Sequence, residues 1–122
     1  MAFKVLVAED KDDSRKLIKS MLEIYGYEVI EAGDGAQAVA KCLEMNPDLI
    51  LMDLAMPVMD GVEAAKKIRE NQKFRQIPII CITAYGDIYT EKARAAGCDH
   101  LMKKPIDFRI LDPLINQFVG AV

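Results

Sequence analysis

Positive charge is not in surplus here. The 16 lysines and arginines are outnumbered by 19 aspartates and glutamates, a formal net charge of −3. Phosphate-backbone recognition needs clustered cations, so direct nucleic-acid binding is not expected. Long apolar runs are missing too, and none approaches the roughly 20 residues that a bilayer-spanning helix requires. The opening residues, Met-Ala-Phe-Lys, run into an apolar segment without the layout of a secretory leader. A cytoplasmic location with no membrane partner is the expectation. Histidine is nearly absent. His100 stands alone, which leaves no second imidazole for a metal or a triad, and it is expected to be structural or solvent-facing. The three cysteines, Cys42, Cys81 and Cys98, are odd in number, widely spaced and without a C-x-x-C. In a reducing cytoplasm they are expected to behave as small core hydrophobes. Repeats, low-complexity tracts and interdomain linkers are lacking, so residues 1–122 are expected to form one domain.

What is present is apolar and periodic. At 52% hydrophobic, the chain can bury a sizeable core. Short β-branched and apolar runs at 3–8, 27–32, 48–53, 77–83 and 99–102 predict five strands. Five helical patterns alternate with them. The first is capped by Asp12, Asp13 or Ser14 and has an apolar stripe of Leu17, Ile18, Met21, Leu22, Ile24 and Tyr25, closed by Gly26. The second follows Gly33-Asp34-Gly35, with Asp34 as a cap and Ala36, Val39, Ala40 and Leu43 on one face, stopped by Asn46-Pro47. The third, over 62–71, turns Val62, Ala65 and Ile68 inward and Lys66, Lys67, Arg69 and Glu70 outward. A fourth opens at Asp87 and carries a weak stripe of Ile88, Ala93 and Ala96, ending at Gly97. The last is capped by Asp107 and buries Ile110, Leu111, Leu114, Ile115, Phe118 and Val119. Pro113 lies inside it, which predicts a kink there or a restart with Asp112 as cap. Alternation with strands buried on both faces predicts an α/β fold: a doubly wound parallel sheet flanked by five helices.

The polar outliers fall where strands end. Glu9 and Asp10 close the first strand, Asp53 the third and Thr83 the fourth, and Lys104 follows the fifth. The carboxyl ends of buried parallel strands are where open α/β sheets bind ligands. Three carboxylates in one cleft would repel each other, and a divalent cation resolves this. An oxygen-only donor set favours Mg²⁺ (or Mn²⁺). With a lysine and a hydroxyl opposite, these groups make up a kit for phosphoryl transfer.

Val5-Leu6-Val7-Ala8-Glu9-Asp10, Leu51-Met52-Asp53 with Met56-Pro57-Val58-Met59-Asp60-Gly61, Ile82-Thr83-Ala84 and Lys104-Pro105 appear in that order. Together they resemble the response-regulator receiver domain of two-component signalling, across essentially the whole chain. The resemblance implies a flavodoxin-like sheet of order 2-1-3-4-5. It implies that Asp53 receives a phosphoryl group from the phosphohistidine of a sensor histidine kinase or a histidine phosphotransfer protein. Asp10, with Glu9 helping, and the backbone carbonyl of Ala55 would join Asp53 in holding Mg²⁺. Thr83 and Lys104 would bind the phosphoryl group, and the Lys104-Pro105 bond would be cis. The chain would catalyse only its own phosphorylation and slow dephosphorylation. Output to a protein target or an output domain would leave by the face of the fourth helix, fifth strand and fifth helix, where Tyr89, Glu91, Arg94 and Arg109 are the exposed candidates. Leu101 departs from the family: it stands where an aromatic switch residue is usual. Tyr85 and Ala55 occupy variable positions flanking the phosphate.

Two other readings compete. A degenerate receiver acting as a protein-binding module would lack Asp53 or Lys104, and both are present. A phosphohydrolase of the haloacid-dehalogenase type would place D-x-D after the first strand. Asp10-Lys11-Asp12 mimics that, but Asp13 stands where Thr or Val should follow, and there is no room for a cap domain. A stand-alone regulator, a phosphorelay intermediate or an excised domain all fit the length.

Overall fold

A computed structural model describes residues 2–84 and 90–119 of the chain. The elements are β1 (Lys4–Ala8), α1 (Asp12–Ile24), β2 (Glu28–Ala32), α2 (Gly35–Met45), β3 (Leu49–Asp53), α3 (Gly61–Glu70), a 3-10 turn at Gln72–Phe74, β4 (Ile79–Thr83), α4 (Thr90–Ala96), β5 (His100–Lys103) and α5 (Phe108–Val119). All strand pairs are parallel, in the order β2-β1-β3-β4-β5. The expected doubly wound sheet and its 2-1-3-4-5 order are both present.

Alternation along the strands builds two cores. Leu6, Ala8, Ile50, Met52, Ile79 and Cys81 face α2, α3 and α4, whose Ala38, Cys42, Ala64, Ala65, Ile68, Ala93 and Ala96 join the same cluster. Val5, Val7, Leu49, Leu51, Ile80 and Ile82 face the other way, against Ile18 and Leu22 of α1 and Leu111 and Ile115 of α5. Every residue of β3 and β4 is buried, as a strand covered on both faces requires. Deep burial of the central strands fixes their register, since a slip of one residue would exchange the two faces.

The helices correct several expectations. Helix α1 begins from Lys11, which makes no side-chain cap, and Asp12 and Asp13 sit in its first turn. The Asp12 carboxylate is taken instead by Arg15 at 2.6 Å. The buried stripe is narrower than six residues, because Leu17, Ile24 and Tyr25 are exposed. Helix α2 is capped by Asp34 as expected, but it buries Gly35, Ala38 and Cys42, with Ala40 and Leu43 outside. On α3, Arg69 does not point to solvent. It reaches across to the carbonyls of Gly97 and Phe74 and to the Asp99 carboxylate. Asp107 caps α5 through its bond from the Arg109 N–H. That helix continues through Pro113 without restarting, and Asp112 accepts from the Tyr27 hydroxyl rather than capping. Ile110 is exposed. Asp87, Ile88 and Tyr89 of the expected fourth helix lie outside the described residues, as does Tyr85 before it. Glu91, Arg94 and Arg109 are exposed, as is His100.

The cysteines also differ from expectation. Cys42 is a free, buried thiol, but Cys81 and Cys98 form a disulfide with Cα atoms 6.2 Å apart. Parallel pairing sets His100 opposite Ile80 and Leu101 opposite Cys81, which brings the turn before β5 beside β4, and residues 17 apart in sequence are bonded. Among the described residues no helix is long and apolar enough to cross a membrane.

Candidate metal and phosphoryl site

Three strand ends meet at the rim of the sheet. β3 lies between β1 and β4, so Asp53 has the end of β1 on one side and Thr83 on the other. Glu9, Asp53 and Thr83 are buried to within a few per cent of full occlusion. Carboxylate oxygens of Glu9, Asp10 and Asp53 all lie within 4.8 Å of one another, close enough to hold a metal ion between them. The donors are all oxygen, which is the chemistry of a hard divalent cation rather than of zinc.

Lys104 reaches into this cluster from the segment after β5. Its Nζ donates to Asp53 Oδ2 at 2.6 Å and to Glu9 Oε1 at 3.1 Å. The Lys104-Pro105 bond is cis. The electrostatics are those of crowded acids with one cation. Burial, then the hydrogen bond and charge of Asp53, push the Glu9 carboxyl up to about 7, and Lys104 pulls it the other way. Burial also works against the Lys104 charge, but the bonds and charges of Asp53 and Glu9 outweigh it and hold its pKa above the ordinary lysine value.

The loop after Asp53 is built around a close approach. The Ala55 N–H donates to Asp53 Oδ1 at 3.0 Å, and Gly61 N–H donates to the Leu54 carbonyl at 3.0 Å. A Cβ at Gly61 would run into the Asp53 carbonyl oxygen and the Leu54 Cα. Only glycine lets the start of α3 pack this tightly under the acidic residue. Asp60 caps that helix by accepting from Glu63 N–H at 2.9 Å. Between them Val58 has φ of 67°, and the Met59 N–H donates back to the Pro57 carbonyl at 2.7 Å, the bond of a γ-turn.

All the residues singled out at strand ends therefore converge, and Leu101 sits half-buried on β5 against the core shared with Cys81. One participant was not legible from the sequence. Arg15 of α1 folds back and donates from Nη1 to the Glu9 carbonyl at 2.9 Å. Nothing in its local sequence marks it, because the contact joins three elements.

The chain matches the response regulator receiver domain over residues 5–116. It is 34% identical to the polar-differentiation response regulator DivK of Brucella ovis, over 98% of both chains. Its fold is similar to the receiver domain of sensor histidine kinase PA1611 from Pseudomonas aeruginosa, solved with magnesium coordinated in the active-site cleft. That likeness has a TM-score of 0.91 at 32% identity, covering 98% of this chain and 99% of the other. It is also similar, with a TM-score of 0.88 at 29% identity over 96% and 88% of the two chains, to a chain from a Saccharomyces cerevisiae co-crystal. That crystal pairs the histidine phosphotransfer protein Ypd1 with the receiver domain of its downstream response regulator Ssk1. Fold, acidic cluster and likeness agree: this chain belongs to the response regulator receiver domain family and serves phosphorylation-dependent signalling.

Proposed function

We propose that Asp53 is the phosphoryl acceptor of this receiver. A sensor histidine kinase or a histidine phosphotransfer protein is the donor. An Asp53 carboxylate oxygen attacks phosphorus, the P–N bond to the donor imidazole breaks, and the nitrogen leaves and is protonated. Glu9, Asp10, Asp53 and the Ala55 carbonyl are the ligands for Mg²⁺, or Mn²⁺ in its place. When bound, the cation neutralises charge on the transferring group and the acids around it. Lys104 then pairs with phosphoryl oxygens, and Thr83 donates its hydroxyl to them. The chain catalyses only its own phosphorylation and slow dephosphorylation. The observation that carries this reading is Lys104 at 2.6 Å from a buried Asp53 whose neighbours Glu9 and Asp10 lie within 4.8 Å.

The donor's approach is supported by surface chemistry. Leu17, 59% exposed, lines a cleft of about 390 Å³ with Ser14, Lys104, Pro105 and Phe108. An apolar surface beside the acidic site suits a helical donor that carries its phosphohistidine over Asp53. Output passes to a downstream protein or output domain through α4, β5 and α5, with Leu101 in the place of the aromatic switch. We place the whole chain, 1–122, as one receiver unit in the cytoplasm, where kinases have ATP; it neither crosses a membrane nor binds nucleic acid.

Incubation with Mg²⁺ and acetyl phosphate, followed by intact-mass measurement, tests the reading. One added phosphate is expected, absent in Asp53→Asn. If neither acetyl phosphate nor phosphorylated histidine phosphotransfer protein labels the chain, the proposal is wrong.

A further inference from the structure

We propose that Arg15 is a positioning residue for the divalent-cation site, holding the Glu9–Asp10 peptide through the Glu9 carbonyl. The inference rests on the reading of Glu9, Asp10 and Asp53 as metal ligands. Arg15 is the fourth residue of α1, and its side chain is 15% exposed. Each nitrogen of the guanidinium fork makes a bond. Nη1 donates to the Glu9 carbonyl at 2.9 Å, Nε to Glu31 Oε1 at 3.1 Å and Nη2 to Asp12 Oδ1 at 2.6 Å. Glu31 lies on β2 and also accepts from Lys19 at 3.4 Å, so the fork is anchored in the neighbouring strand.

Two further observations make this contact more than surface pairing. Glu9 follows β1, so its carbonyl lies beyond the strand, while its N–H donates to the Ala32 carbonyl at 3.0 Å. The residue is therefore held at both ends, by β2 on one side and by Arg15 on the other. The segment between β1 and α1 has only a long local bond: Lys11 makes no side-chain cap, and its N–H donates to Glu9 Oε2 at 3.4 Å. Arg15 adds from outside the segment a bond of 2.9 Å, shorter than the one the segment makes for itself.

Charge and geometry predict opposite signs. Arg15 is a cation near the acidic cluster, so by charge alone its removal should tighten a divalent cation. If it positions the ligands, its removal should weaken binding. Arg15→Lys separates the two further: it keeps the charge but cannot make a planar three-way fork.

The test is calorimetric titration of the full chain with Mg²⁺, for wild type, Arg15→Met, Arg15→Lys and Glu31→Gln, alongside acetyl phosphate labelling at low and saturating Mg²⁺. The expected result is a Kd for Mg²⁺ raised about tenfold in both Arg15 variants, the lower range for partners of metal ligands. Glu31→Gln, which leaves Arg15 in place and loosens only its anchor, should shift in the same direction by less. Because losing the Glu31 anion would itself weaken a cation, the Arg15 variants decide, and Arg15→Lys keeps the idea testable should Arg15→Met fold poorly. Labelling should recover at saturating Mg²⁺, and urea unfolding in EDTA should show the Arg15 variants folded without the cation, which a merely unstable variant would not show. Arg15→Met binding Mg²⁺ as well as wild type or better, in a wild type that binds it, overturns this inference alone. A wild type that binds no Mg²⁺ overturns the metal reading and this inference with it.

Discussion

Replacing Lys104 with methionine should destabilise the metal-free protein by an amount that depends on pH in a specific way. The side chain keeps its length, but the cation 2.6 Å from Asp53 and 3.1 Å from Glu9 disappears. Removing one partner from a buried ion pair costs about 3–5 kcal/mol when the remaining charge cannot adapt. Here it can adapt, because Glu9 already holds its proton up to about pH 7. Below that pH a protonated Glu9 can donate to Asp53, and the loss should be nearer 1–2 kcal/mol, the scale of a charged hydrogen bond. Above it the two proteins diverge. A carboxyl whose folded pKa is raised binds its proton more tightly in the folded state. Its stabilising contribution is present at low pH and is lost as pH rises from the ordinary value of 4.5 towards the folded one. In wild type that decline stops near pH 7. Without Lys104, which lowers the Glu9 value, the decline continues at up to about 1.4 kcal/mol per pH unit. Urea unfolding followed by far-UV circular dichroism in EDTA, at about pH 5.5, 7 and 8.5, reads this directly. The difference between the two proteins should be nearly constant up to pH 7 and widen by about 1–2 kcal/mol beyond it. A gap that stays constant throughout, or narrows, refutes the account of Lys104 as the counterion of both acids.

Other perturbations have equally definite outcomes. Val58→Gly should be neutral to stabilising by up to about 1 kcal/mol, since a left-handed φ costs a side chain about 1–2 kcal/mol and glycine's extra unfolded freedom returns part of it; a loss on urea unfolding would mean the valine packs where it is 83% exposed. Gly61→Ala should cost about 1–3 kcal/mol through the clash with the Asp53 carbonyl and weaken Mg²⁺ binding. Normal stability and affinity would show that the loop yields freely. Reduction with dithiothreitol opens a link between residues 17 apart and should cost about 3 kcal/mol of stability. An unfolding midpoint that does not move would show that Cys81 and Cys98 act independently.

The strands were legible because their signal is local. A run such as Leu49-Ile50-Leu51-Met52 can be buried on both faces in few ways, and a carboxylate closing it is conspicuous. Glu9, Asp10, Asp53, Thr83 and Lys104 could therefore be singled out before any geometry was known, though their proximity depended on strand order. The helix faces were harder. Helix α2 is rich in alanine, so Ala36 and Ala40 read as well as Ala38 for the buried side, and only packing against β1 and β2 decided between them. Leu17 and Ile110 look like core residues by type, yet they lie outside it. Arg15 carries no mark in the sequence and Arg69 reads wrongly as outward-facing, since a long side chain bonded to distant carbonyls leaves no periodic trace. The Cys81–Cys98 bond was hidden for the same reason: it follows from β4 lying beside β5.

The placement of Asp53 on the middle strand divides the sheet's labour. To one side, β1 and β2 carry the acids and, through Glu31, the anchor that steadies them. To the other, β4 and β5 carry Thr83, Leu101 and the approach to Lys104. Lys104 ties the two sides together, because its Nζ reaches both Asp53 and Glu9. On the proposed reading, a leucine at 101 in place of an aromatic ring alters a position outside the acidic cluster and leaves the cation's ligands as they are.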